Sequence, residues 1–180
     1  MSPRINLLGA VLATVLVVMA MSIFTVDQRQ YAVVFQLGEV KRAISEPGLY
    51  FKIPMVQNVR YFEKRIITLD NAEPERFITS EKKNVLVDSY IKWRIVDPQL
   101  YYISVGGDES RAKTRLNQTV NAGLREEFGK RTVHDVVSGE RDQVMNQMRE
   151  KADIDARKIG VQIVDVRLKR PQLRQALIQT

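Results

Sequence analysis

The chain has 180 residues, 44% of them hydrophobic, with 28 Lys and Arg against 21 Asp and Glu for a net charge of +7. Cysteine is absent, which excludes disulfides and thiolate metal sites and requires a fold that is stable without staples in either redox compartment. The positive charge fits a well-solvated surface, anionic lipid headgroups or nucleic acid; no basic recognition-helix pattern occurs, and nucleic acid is not an expected partner.

Residues 5–26, INLLGAVLATVLVVMAMSIFTV, carry no ionisable group. At about 1.5 Å rise per residue, a helix of this length spans a hydrocarbon core of about 30 Å. Within a bilayer every backbone N–H and C=O needs an internal partner, so the segment is helical there. A buried core helix is disfavoured, because it would be apolar on all faces at the extreme N-terminus. A cleaved signal peptide is the competing reading, with Ala20 and Ser22 as small residues before a cut and Arg4 as a thin positive region. The apolar run nevertheless continues through Ile23, Phe24 and Val26, beyond the roughly 7–15 residues such a peptide needs. An uncleaved transmembrane anchor is the expectation. Arg4 and the α-amino group lie on one side, while Asp27 and Arg29 cancel on the other, which places residues 1–4 in the cytoplasm and the rest outside.

Residues 30–37 alternate Tyr31, Val33, Phe35 and Leu37 with Gln30, Ala32, Val34 and Gln36, the period of a half-buried strand. Gly38-Glu39 turns the chain, residues 40–44 pair back, and Ser45-Glu46-Pro47-Gly48 is a second turn. The following stretch, residues 49–56, is unusually apolar. Two readings stand side by side: a strand in the core, or a loop whose Leu49, Tyr50, Phe51, Ile53 and Met55 rest on the headgroup layer, flanked by Arg42, Lys52 and Arg60.

Residues 59–70 and 75–79 read as short strands separated by Asn71-Ala72-Glu73-Pro74. Residues 84–97 form the clearest strand, with Val85, Val87, Ser89, Ile91, Trp93 and Ile95 on one face and Leu86, Asp88, Tyr90, Lys92, Arg94 and Val96 on the other. Asp97-Pro98 ends it, and Pro98 opens a helix to Val105 because a missing N–H costs nothing in a first turn. After Gly106-Gly107-Asp108, the apolar residues Ala112, Leu116, Val120, Leu124 and Phe128 recur every four positions, one stripe of a helix ending near Gly129. Thr132 and Asp135 have capping-box-like spacing. Ser138 caps a second long helix that buries Val144, Met145, Met148, Ala152 and Ile159, and Gly160 stops it. Residues 161–168 return as a strand whose apolar phase switches between Ile163 and Val164, the mark of a bulge or of a strand covered on both faces. Strands followed by helix, helix and strand make an α+β domain behind the anchor.

No catalytic constellation is legible. His134, the single histidine, sits on a short polar turn beside Asp135 and reads as a surface residue. HExxH, GxSxG and Walker glycine loops are missing, and acidic residues lack metal-ligand spacing. Ser80 with Lys82, and Ser110 with Lys113, are the only Ser–Lys pairs worth naming, and such pairs arise by chance in polar sequence. The expectation is a protein that is not an enzyme, with no catalytic, metal or cofactor residues. The mixed charge of Arg111, Lys113, Arg115, Arg125, Glu126, Glu127, Lys130 and Arg131 suits side-by-side packing of like subunits.

Taken together, Tyr31-Ala-Val-Val-Phe-Gln-Leu-Gly-Glu-Val, Glu46-Pro-Gly-Leu-Tyr-Phe-Lys-Ile-Pro, Phe77-Ile-Thr-Ser-Glu-Lys-Lys-Asn-Val-Leu-Val-Asp-Ser-Tyr-Ile-Lys-Trp-Arg-Ile and Gly160-Val-Gln-Ile-Val-Asp-Val-Arg-Leu-Lys-Arg resemble the SPFH/Band 7 superfamily of stomatins, prohibitins and flotillins, in particular its bacterial HflC branch. The resemblance runs from the anchor to about Arg170. It implies a single-pass protein of the bacterial inner membrane whose SPFH domain, residues 27–170, faces the periplasm. It further implies hetero-oligomeric assembly with an HflK-like paralogue into a ring or cage that encloses and modulates an FtsH-like AAA protease, and a place next to membrane lipids for residues 49–53. The pattern departs at the end, where family members continue into a long Ala/Glu/Arg-rich coiled-coil helix. Here residues 171–180 read as a short atypical tail, and a truncated member or a shortened variant relying on SPFH contacts is expected. Two other functions remain: a membrane-bound serine-type hydrolase, and a lipid-organising stomatin-like scaffold without a protease partner. If the orientation is right, protease added to intact spheroplasts removes the C-terminal domain almost completely; protection that persists until lysis would refute it.

Overall fold

The structure, a computed structural model, describes residues 3–70, 74–132 and 141–169. The chain divides into two compact units, residues 1–65 and 66–180. The turn at Thr132 and beyond, with His134, Asp135 and the Ser138 cap, and the tail 171–180 fall largely or wholly outside the described residues.

In the first unit helix α1 (Pro3–Ser22) runs directly into strand β1 (Ile23–Val26). The helix therefore ends at Ser22 and not at Val26 as the apolar run suggested. The reason is tertiary pairing: β1 is antiparallel to β4 (Gly48–Phe51), with Ile23 opposite Phe51 and Val26 opposite Gly48. Alternation then buries Phe24 and Val26 and exposes Ile23 and Thr25. Side chains of α1 are described at 12, 13 and from 15 onward, and among the described residues no helix is long and apolar enough to cross a membrane. The anchor reading rests on the amino-acid sequence.

Strand β2 (Gln30–Gln36) is the centre of a sheet ordered β3-β2-β5, between β3 (Glu39–Ile44) and β5 (Gln57–Glu63). Its middle residues Ala32, Val33, Val34 and Phe35 are all buried, so the strand is covered on both faces rather than on one. Ala32, Val34 and Ile44 form a core with Phe24 and Val26, against which Tyr50 and Val59 pack. Burial of side chains such as Phe24 and Val26 contributes about 1.5–3 kcal/mol each.

The expected strand over 59–70 is two strands, β5 and β6 (Ile67–Asp70), and the break between them coincides with the boundary of the units. In the second unit a sheet ordered β10-β9-β6 combines β6 with β9 (Ser89–Ile95) and β10 (Val161–Leu168), all antiparallel, while β7 (Glu75–Ile78) and β8 (Asn84–Val87) form a separate hairpin. The expected strand over 84–97 is thus divided at Asp88 between two sheets. Its alternation holds nonetheless: Val87, Ser89, Ile91, Trp93 and Ile95 are buried. The phase switch in β10 is a bulge between Ile163 and Asp165, and the Asp153 carboxylate accepts the Ile163 amide at 2.8 Å.

Asp97 caps α2 (Pro98–Val105) by accepting the amides of Gln99 and Leu100, each at 3.0 Å. Asp108 does the same for α3 (Glu109–Lys130), whose Ala112, Leu116, Val120, Leu124 and Phe128 are all buried, as the four-residue spacing required. Phe128 stacks on Phe77 at 5.4 Å between ring centroids. Met145, Met148, Ala152 and Ala156 of α4 (Arg141–Arg157) are buried, and so is Ile159 in the turn after it. Burial pushes the Tyr101 phenol, beside Trp93, up to about 12.

Helices α3 and α4 are joined by charge. The Lys151 ammonium lies 2.7 Å from buried Glu127 and 3.4 Å from Glu126. Its hydrogen bond holds the Glu127 carboxyl below the usual carboxylate range. The turn after α4 is tightest at Gly160, which has φ +76°. A Cβ there would lie 2.4 Å from the Asp97 carbonyl oxygen and 2.6 Å from the Tyr101 amide nitrogen. Gly160 also accepts the amides of Val96 and Asp97 at 3.0 Å.

Two outcomes are expected, with the single tryptophan, fully buried Trp93, as the fluorescent reporter of the second unit. Gly160→Ala adds left-handed strain to a clash with backbone, about 2–5 kcal/mol in a denaturant titration; a loss below about 1 kcal/mol contradicts the close approach. Glu127→Gln costs about 1–2 kcal/mol near neutral pH, since Lys151 is half exposed. The folded Glu127 carboxyl releases its proton at lower pH than in the unfolded chain, where it titrates at the ordinary glutamate value. This stabilisation is complete above that value and disappears as the pH falls through the folded one, so wild type and Glu127→Gln converge in acid.

Candidate membrane-contact surface

The end of α1 is built into the first unit. The Ser22 carbonyl, one of the groups a helix end leaves without an internal partner, accepts the Lys52 amide at 2.7 Å, and the Ser22 hydroxyl donates to the Lys52 carbonyl. The chain just past β4 is held against the last residue of the helix. Residues 54–56 then turn, and Gln57 clamps the turn. Its side-chain oxygen accepts the Ile53 amide at 2.9 Å, its backbone amide donates to the Ile53 carbonyl at 3.0 Å, and its side-chain nitrogen donates to Gln36 at 3.4 Å.

Gln57 and Glu39 both pair with Gln36, so the turn at 54–56 and the Leu37-Gly38 turn between β2 and β3 lie at the same end of the sheet. Leu37 and Gly38 have φ of +53° and +93°. This is the two-residue hairpin geometry that favours Asn or Gly at the first place, yet a leucine stands there, 87% exposed. Met55 has φ +70° and is fully exposed at 101%. A side chain in this backbone region costs about 1–2 kcal/mol, and neither residue recovers that by packing. What both strained positions do is project an apolar group into solvent.

The predicted contact residues separate on this frame. Leu49, Phe51, Ile53 and Met55 are exposed. Tyr50 points the other way: its ring is 6.0 Å from Phe24 and its hydroxyl donates to the Glu46 carbonyl at 3.1 Å, so it belongs to the core side. Residues 49–51 are therefore strand, as the core reading had it, but alternate residues face out, as the contact reading had it. Leu37, Ile23 and Val56 join the exposed group and were not singled out in the sequence. For Leu37 a signal existed, a leucine before glycine between two alternating strands; for Ile23, paired with Phe51, none did. Together these residues are the candidates for a contact with lipid or protein.

The Ser80 hydroxyl donates to the Arg131 carbonyl at 2.7 Å, and Lys113 pairs with Glu109 at 2.6 Å. Among the described residues no cluster of His, Asp or Glu is arranged to hold a metal ion. An open groove of about 860 Å³ between α2 and α3 is lined by Ser104, Ser110, Arg111, Thr114 and Arg115, without an enclosed polar centre.

Residues 24–180 match the SPFH domain / Band 7 family. The chain belongs to the SPFH/Band 7 family. The Modulator of FtsH protease HflC of Escherichia coli (strain K12) is 40% identical over 148 residues, covering 78% of this chain and 44% of that protein. Protein HflC of Haemophilus influenzae is 36% identical over 162 residues, with 84% and 55% covered. Protein HflC of Vibrio parahaemolyticus is 33% identical, with 93% and 63% covered. The chain spans about half the length of the curated relatives it matches. The exposed residues Leu37, Leu49, Phe51, Ile53 and Met55 all fall inside the family region.

Glycine tolerates positive φ, and Met55 makes no packing contact to lose. Met55→Gly therefore leaves the first unit as stable as the wild type or up to about 1 kcal/mol more stable, judged by hydrogen exchange of the β2 amides. Marked destabilisation would show that Met55 serves the fold and not a contact.

Proposed function

We propose that the chain is a non-catalytic, HflC-like scaffold subunit, anchored in the bacterial inner membrane by α1 with its N-terminus cytoplasmic and its SPFH domain periplasmic. It regulates an FtsH-like AAA protease together with an HflK-like paralogue. The observation that carries this reading is the likeness over most of the chain to HflC proteins, one of which is named as a modulator of FtsH protease. The hydrogen bonds between Ser22 and Lys52 support it locally, because they hold an exposed apolar surface beside the end of the apolar helix.

On this reading, work is done through neighbours and not at an active site. The apolar end of the first unit, Leu49, Phe51, Ile53 and Met55 with Leu37, rests on the bilayer. The charged faces of α3 and α4 remain available to like subunits, although Glu126, Glu127 and Lys151 are already used within the chain.

Purification in mild detergent followed by mass spectrometry tests the proposal. An HflK-like paralogue and an FtsH-like protease are expected to accompany the chain. Recovery of lipid alone would replace the reading with that of a lipid-organising scaffold. A single chain that cleaves substrate, with turnover abolished by one Ser→Ala change, would replace it with a serine-type hydrolase.

A further inference from the structure

The membrane-facing end of the first unit has a cationic rim. Between residues 37 and 60 the chain carries Lys41, Arg42, Lys52 and Arg60 against Glu39 and Glu46. Arg60 is occupied, its guanidinium 5.9 Å above the Phe35 ring. Arg42 donates a hydrogen bond to the carbonyl of Phe51, which pins its charge beside an exposed apolar residue. Lys52 follows Phe51 directly, and its backbone is tied on both sides to Ser22.

Lys41 precedes Arg42 in β3 and is exposed. Arg42 pairs with Val34 and Val40 with Phe35, so Lys41 is an extra residue, inserted as a bulge. A bulge breaks the strict alternation that would send adjacent side chains to opposite faces, and it re-aims the residue it inserts. Among the described residues none of the three cations forms an ion pair with a carboxylate. Unneutralised positive charge on Arg42 at the Phe51 carbonyl, on Lys52 next to Phe51 in the chain and on Lys41 next to Arg42 suits an interfacial contact, apolar groups entering the acyl boundary and cations meeting phosphate.

We infer that Lys41, Arg42 and Lys52 bind the phosphates of anionic phospholipids in the leaflet that meets the end of α1, making the surface selective for acidic over zwitterionic lipid. This rests on the membrane-contact reading above. Each cation near an acidic surface contributes about 1 kcal/mol, or about fivefold, at physiological salt, and the contribution decays within a Debye length.

The absence of cysteine permits a clean test on the full chain. Met55→Cys is labelled with an environment-sensitive nitrobenzoxadiazole dye, and the protein is reconstituted into vesicles of phosphatidylcholine alone or mixed with phosphatidylglycerol. The ratio of lipid-seated to water-exposed label is expected to be higher with phosphatidylglycerol and to fall as salt is raised. Lys41→Gln with Lys52→Gln, which keeps the bond from Arg42 to Phe51, is expected to reduce the phosphatidylglycerol preference by roughly 25-fold. Equal seating in both lipids, insensitive to salt, would overturn the selectivity and leave the membrane contact standing. A label in water in both vesicles would overturn the contact itself. Loss of the preference on adding inorganic phosphate at constant ionic strength would assign the rim to a soluble anion and overturn the lipid assignment.

Discussion

The pairing of Ile23–Val26 with Gly48–Phe51 makes the end of α1 part of a folded unit. An apolar helix that entered its domain through a flexible linker would leave that domain free to turn. Here the last helical residue is bonded through backbone and side chain to Lys52, and the next four residues are a strand. The same four residues serve both sides of the ribbon: Phe24 and Val26 fill the core, while Ile23 shares the exposed face with Phe51. A strand alternates, so one short segment closes a core and displays an apolar surface without extra structure.

That surface is maintained against local preference. The Leu37-Gly38 turn and the turn through Met55 both place a bulky residue at positive φ, where Asn or Gly would be cheaper. Each is over-determined by its surroundings. Strand pairing from Gln36 to Glu39 fixes the first, and the three bonds of Gln57 fix the second. The polar atoms of the clamp are satisfied within the protein, and the strained side chains are left to solvent. In the proposed arrangement this strain is offset by the contact that the two side chains make with lipid.

The second unit was the more legible in sequence. The stripe from Ala112 to Phe128 and the Asp97-Pro98 start of α2 follow from local chemistry and stand where expected. Helix α4 ends at Arg157, three residues before the expected stop at Gly160, and of the two readings of the phase switch after Ile163 the bulge is the one found. What sequence did not reveal was which strands share a sheet. The alternation runs through Asp88 without interruption, so nothing local distinguishes one long strand from β8 and β9 in different sheets. The first unit hid more. An apolar run long enough for a membrane helix gives no hint that its last four residues pair with a strand more than twenty positions away. The choice between core and contact for residues 49–56 also had no answer in composition, because Tyr50 faces in and its neighbours face out.

In the proposed arrangement the energetics divide the labour. A transmembrane helix gives effectively irreversible insertion, so affinity for the bilayer does not depend on Leu37, Phe51, Met55 or the cationic rim. Tethering also keeps the rim at high effective concentration over the headgroups, where contacts worth only a few kcal/mol are populated. Such contacts are weak as anchors and well suited to setting tilt, because a unit joined to its helix by the bonds between Ser22 and Lys52 cannot tip without lifting Phe51 and Met55 from the surface. The rim then governs the angle at which the first unit stands on the lipid. On the proposed reading the chain works by presenting surfaces to neighbours, and that angle is the quantity a membrane can control.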